Sequence, residues 1–175
     1  MIKARYLWIP VIVMALVACA MPHQAVCAAE GELPDEAAVR AAINTMFADP
    51  FSERAVEAQK SVLDFSQGSD KIKVIVARDI GFYPGTKYSD MLLAHYIAGV
   101  VKFGLENTGE ASDERLGTQA GLRAALSLYK KIRVREASFT VPELNVAEAS
   151  IQNGRLSVFI DEALARAKKE RGAAK

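Results

Sequence analysis

Ser89-Asp90-Met91-Leu92-Leu93-Ala94-His95-Tyr96-Ile97-Ala98-Gly99-Val100-Val101-Lys102-Phe103-Gly104-Leu105-Glu106-Asn107 is apolar around almost its whole circumference when wound as a helix. Met91, Leu92, Leu93, Tyr96, Ile97, Val100, Val101, Phe103 and Leu105 leave one narrow polar stripe, made of His95, Lys102 and Glu106. Spacings of seven and four return these three to nearly one azimuth at about 100° per residue. A helix that is apolar on most sides is buried among neighbours, so this stretch predicts the central helix of a helical domain. Ala94, Ala98 and Gly99 are small, and the next helix is expected to pass close to Ala98 and Gly99.

The flanking segments supply those neighbours. Over 34–48, Val39, Ile43, Met46 and Phe47 recur at i, i+4, i+7 and i+8, one buried face. Pro34, Asp35 and Glu36 suit a helix start, and Asp49-Pro50 ends it. A second helix begins at the cap Ser52, with Phe51 and Val56 at the spacing of a hydrophobic staple, and stops near Gly68. After the loop 107–111 a fourth helix starts near Ser112, carries Leu122, Ala125, Leu126, Tyr129 and Ile132 on one face, and ends among Lys130, Lys131 and Arg133. A fifth runs over 142–152 and stops at Asn153-Gly154. The sixth, 155–171, has Leu156, Phe159, Ile160, Ala163, Leu164 and Ala167 at i, i+3, i+4, i+7, i+8 and i+11, the strongest amphipathic pattern in the chain.

One segment resists the helical reading. Ile72, Val74, Ile75 and Val76 are β-branched and partly alternate with polar residues, which favours a strand. Its best partner is 137–141, giving a short two-stranded ribbon; the alternative is a short helix capped by Ser69. The fold class predicted is therefore mainly α, about six helices in a compact helical-hairpin array, with that ribbon as its one optional β element.

Leu92-Leu93-Ala94-His95-Tyr96-Ile97-Ala98-Gly99, followed by Ala120-Gly121-Leu122-Arg123-Ala124-Ala125-Leu126 and Tyr129, resembles a tetratricopeptide-type helix pair over about 45 residues. The resemblance implies small residues where paired helices cross and a concave face that binds peptides or proteins. Tyr96 lies two positions after Ala94 where the family has three, no repeat of that period is visible, and no binding residue is carried over.

The N-terminus reads as an export signal. Lys3 and Arg5 precede the apolar run Tyr6 to Ala18 without an acid between them. That is a signal-peptide layout, too short to span a bilayer. Two cleavage patterns compete. Leu16-Val17-Ala18-Cys19 resembles the lipobox of bacterial lipoproteins, which implies lipid attachment at Cys19 and a tether over 19–33. Ala20 after it, rather than Asp, implies sorting to the outer membrane. The rival is ordinary cleavage around Val26-Cys27-Ala28, making 1–28 the signal. Either way, 34–171 is predicted to be a single helical domain.

Composition excludes several functions. Cys19 and Cys27 are the only cysteines, so the domain has no disulfide although its compartment permits one. Without Lys3 and Arg5, 20 basic residues face 21 acidic ones, and no basic excess favours nucleic acid. The basic end at Lys168, Lys169, Arg171 and Lys175 reads as a solvated helix terminus. His95 is the only histidine of the domain and, with no cysteine there, cannot build a usual zinc site; a cysteine nucleophile is likewise excluded. His95 reads as a surface residue on the polar stripe, so His95→Ala is expected to change stability by less than about 0.5 kcal/mol. Asp79, Asp90 and Glu143 are the carboxylates available for acid–base chemistry, yet each has sufficient use at a turn or a helix start. Tyr83, Tyr88, Tyr96 and Tyr129 read as core rather than groove lining. No phosphate-cradling glycine loop occurs.

The functional expectation is an exported, periplasmic envelope protein, anchored to the outer membrane if Cys19 is lipidated. It acts as a non-enzymatic interaction or scaffold module whose partner is another envelope protein or peptide. No catalytic, cofactor-binding or metal-binding residue is assigned. The rivals are a carboxylate-dependent enzyme or accessory subunit of one, and a structural part of an envelope complex. A groove lined by Tyr and Leu favours the first reading, and two carboxylates roughly 5–9 Å apart in a cleft the second. An exposed apolar patch above a few hundred Å² favours the third.

Overall fold

A computed structural model describes residues 33–77 and 87–173. The signal, both cleavage sites, Cys19, Asp79 and Tyr83 lie outside the described residues. The fold is mainly α, and among the described residues there are six helices: α1 Glu36–Ala48, α2 Glu53–Gly68, α3 Ser89–Glu106, α4 Glu114–Arg135, α5 Pro142–Gln152 and α6 Leu156–Ala173.

The helix boundaries follow local chemistry. Asp35 caps α1 by accepting from the Ala38 N–H at 2.7 Å, Ser52 caps α2 through the Ala55 N–H, and Asp113 caps α4 by accepting from Arg115 and Leu116 N–H at 2.9 Å. Pro142 occupies the first turn of α5, where its missing N–H costs nothing. At the other end of α5, Gly154 has φ +67°, the Arg155 N–H bonds Ser150 O at 2.7 Å and the Gly154 N–H bonds Ile151 O at 3.1 Å. This is a Schellman stop. The expected staple on α2 is not buried: Val56 is 60% exposed, and Phe51 lies instead under the Arg135 guanidinium, 3.6 Å from its ring centroid.

α3 is the central helix that its circumference predicts. It packs against α1, α2 and α4, while α6 lies on α4 and α5. Leu92, Tyr96, Val101, Leu122, Leu128, Tyr129, Ile132, Leu144 and Ile160 are fully buried in one core with Val39, Ile43 and Met46 of α1. α3 and α4 run antiparallel, because Tyr96 meets Gly121 while Val100 meets Gly117. Gly99 and Gly121 face each other at their crossing. A Cβ on Gly99 would lie 2.7 Å from Ala120 O and 2.9 Å from Gly121 Cα, and one on Gly121 would lie 2.8 Å from Tyr96 O.

The ribbon is not formed: among the described residues there is no strand, and both 71–77 and 137–141 are irregular. Ile72, Ile75 and Ala77 are buried while Lys73 and Val76 face outward; Ile72 and Ile75 lie three apart, so the burial does not follow a strand's period of two. The surface it answers to is α3 rather than another strand. Ile72 packs over Gly104, and the Tyr96 hydroxyl donates to Ile75 O. Burial pushes the Tyr96 phenol up to about 12, which keeps it a donor throughout the physiological range.

The 137–141 segment is held by side chains. The Tyr129 hydroxyl donates to Asn145 Oδ1 at 2.9 Å and accepts from the buried Val141 N–H at 3.1 Å. Tyr129→Phe keeps the ring but strands that N–H. A loss of about 1–3 kcal/mol is expected, read as a lower urea midpoint with an unchanged slope.

α3 starts without a side-chain cap. Tyr88 precedes it at φ 65°, in the left-handed region, which is uncommon for a bulky residue. Its neighbours hold it there. The Tyr88 hydroxyl donates to Glu136 at 3.2 Å, its ring meets Phe139 edge-on at 5.1 Å, and Lys87 pairs with the same carboxylate. The hydrogen bond between Lys87 and Glu136 raises the ammonium above its ordinary range and lowers the carboxyl.

Candidate functional site

The face of the α3–α4 pair beside the end of α1 carries a groove of about 410 Å³. α3 contributes His95, Gly99, Lys102, Phe103 and Glu106, at i, i+4, i+7, i+8 and i+11. α4 contributes Ala120, Arg123, Ala124, Ser127, Leu128 and Lys131, at i, i+3, i+4, i+7, i+8 and i+11. Phe47 and Pro50 close one end. The floor is apolar and mostly small. Among the described residues the rim holds three cations, Lys102, Arg123 and Lys131, and one carboxylate, Glu106, which is paired with Lys102.

The polar stripe of α3 is thus the groove wall, and Lys102 and Glu106 stand on it as expected. His95 lines it too but is not the exposed residue expected: it is 2% exposed. The reason lies in the end of α1. The donor that would complete the helical bond to Met46 O is residue 50, a proline without an N–H. The Phe51 N–H, next in line for Phe47 O, turns to Asp49 Oδ1. α1 has no basic residue in its own last turn, so its terminal carbonyls need donors from elsewhere. His95 Nε2 reaches Met46 O at 3.2 Å, and Lys131 Nζ reaches Phe47 O at 2.8 Å. α1 returns the service, because Arg40 donates to Leu105 O at the end of α3 at 2.6 Å. His95 is a cross-helix cap rather than a surface residue. The signal for it in the sequence is the Asp49-Pro50 stop itself, which leaves a carbonyl without a donor.

The His95 ring also has Nδ1 3.0 Å from Met91 O, and its centre lies 5.7 Å from the Phe47 ring centre. Both ring nitrogens therefore face acceptors, which favours the charged ring. Burial opposes the charge, with Lys131 adding repulsion, and burial wins: the pKa is lowered from 6.5. A neutral ring has one hydrogen to share between these two carbonyls, and when Nε2 carries it that hydrogen caps Met46 O.

Among the described residues the groove carries a single carboxylate, Glu106, where acid–base glycosidic chemistry uses a pair. Asp90 and Glu143 stand in the first turns of α3 and α5, where the helix dipole suits them. Among the described residues no three His, Cys, Asp or Glu side chains are placed to hold a metal ion, and no helix is long and apolar enough to cross a membrane. Among the described residues the groove aromatics are Phe47 and Phe103, while Tyr96 and Tyr129 are core. A second depression of about 490 Å³ lies over Phe65, Ile72, Gly104 and Leu105, with charges of both signs at its edge, Glu36, Asp70 and Lys71. No protein-family model, curated protein or solved structure matches the chain.

Proposed function

We propose that the domain is a non-enzymatic interaction module of the bacterial envelope, exported by its N-terminal signal and tethered through lipid on Cys19. In this reading it holds a segment of another envelope protein in the α3–α4 groove. The observation that carries this is the combination of an apolar floor with a rim on which cations outnumber the carboxylate. A few charged groups around an apolar concavity fix orientation without supplying chemistry.

Two measurements test the two halves of the reading. Intact-mass analysis of the mature protein is expected to find lipid on an N-terminal Cys19, and Cys19→Ala is expected to move the protein from the membrane fraction to the soluble one. A mature chain beginning near residue 29 without lipid removes the tether. For the interaction, a photo-reactive residue at Ser127, exposed on the groove, is expected to give discrete protein adducts in intact cells. The same residue placed at Val158, exposed on α6, is expected to give none. Equal labelling from both positions sinks the module reading.

A further inference from the structure

The groove's shape and charge narrow its occupant further, taking the interaction reading as the starting point. Its α4 wall runs from Ala120 to Lys131, about 16 Å or three turns at 1.5 Å per residue. Both walls are helices, antiparallel to each other, and the floor between them is formed by Gly99, Ala120 and Ala124. A straight furrow with a floor of small residues lets a third rod approach closely. The walls also offer no free backbone donors or acceptors, since helix backbones are bonded internally. An extended peptide laid there would leave its own N–H and C=O groups unanswered, whereas a helix satisfies them itself.

Charge sets the sign of that helix. Lys102 is neutralised by Glu106. Lys131 bonds a neutral carbonyl and keeps its charge available to an occupant. Arg123 is exposed on the rim and makes no ion pair among the described residues. We infer that the groove seats an acidic amphipathic helix of about three turns from another protein, its apolar stripe on Phe47 and Phe103 and its carboxylates toward Arg123 and Lys131.

The test uses the full chain and three labelled peptides of about twelve residues. They share one Leu/Phe stripe and carry Glu-rich, Gln-rich or Lys-rich polar faces. Decanoate serves as a lipid carboxylate for competition. By fluorescence anisotropy the Glu-rich peptide is expected to bind at least about tenfold more tightly than the Lys-rich one. Arg123→Glu is expected to abolish that preference while the circular dichroism of the protein is unchanged. Decanoate is expected not to displace the peptide. A flat or reversed charge order, an unaffected Arg123→Glu variant, or full displacement by decanoate overturns the assignment. These failures are separable from failure of the interaction reading. Adducts from Ser127 in cells together with a flat charge order reject only the acidic helix, while absence of adducts rejects the module itself.

Discussion

Gly99→Leu is expected to leave the domain unfolded, or destabilised by at least about 3 kcal/mol, the upper part of the usual overpacking range. Even the first added carbon finds no room. It would stand 2.7 Å from Ala120 O, 2.7 Å from Ala124 Cβ and 2.9 Å from Gly121 Cα. Two of these atoms are backbone and the third is a Cβ, so none can swing aside as the end of a long side chain could. Relief requires α3 and α4 to separate, which loosens the buried residues between them: Tyr96, Val100, Leu122 and Ala125. Against a total of about 5–15 kcal/mol for an ordinary domain, such a cost is decisive. Gly109→Ala is the control, because nothing lies within 4 Å of its added carbon. Urea unfolding of both variants reads the contrast, and a Gly99→Leu protein as stable as the control would mean that the two helices do not cross there.

The second large effect is at His95. His95→Ala removes a buried ring and leaves Met46 O without its side-chain donor. An unmet buried acceptor costs about 1–3 kcal/mol, and the space left by the ring adds to it. A loss of about 2–4 kcal/mol is expected by urea unfolding. Stability should also fall with acid. Because burial lowers the folded-state pKa below 6.5, the unfolded chain binds the proton first. The contribution is full above about pH 6.5 and is lost as the pH falls from there toward the folded value. His95→Gln keeps a donor but does not titrate, so its stability should lack this step. An identical pH dependence in the two proteins would show that His95 is not responsible.

The burial of His95 reverses the expectation drawn from the stripe of α3, and the way it does so marks what a sequence can carry. The azimuth of His95, Lys102 and Glu106 was legible, because helical spacing alone determines it, and all three line one groove. Whether that azimuth is wet depends on a turn of α1 more than forty residues away, which no local pattern encodes. The crossing at Gly99 was legible for the opposite reason: small residues on a nearly all-apolar helix have few uses besides close approach. The segment 71–77 shows a third case. Its β-branched residues include the buried Ile72 and Ile75, but these lie three apart and do not follow period two. β-branched apolar residues report only that a segment is covered, not whether the covering surface is a strand or a helix. The Schellman stop at Gly154 was readable because it is entirely local.

The exchange of caps between α1 and α3 has a thermodynamic consequence. The last turn of α1 is tied to the rest of the domain through His95 and Lys131, and Phe47 in that same turn closes one end of the groove. Docking of α1 and filling of the groove therefore share contacts, and by linkage each stabilises the other. An occupant resting on Phe47 would raise the free energy needed to peel α1 away. Conversely, a chain with α1 loosened would bind that occupant more weakly, although most of the groove wall is untouched.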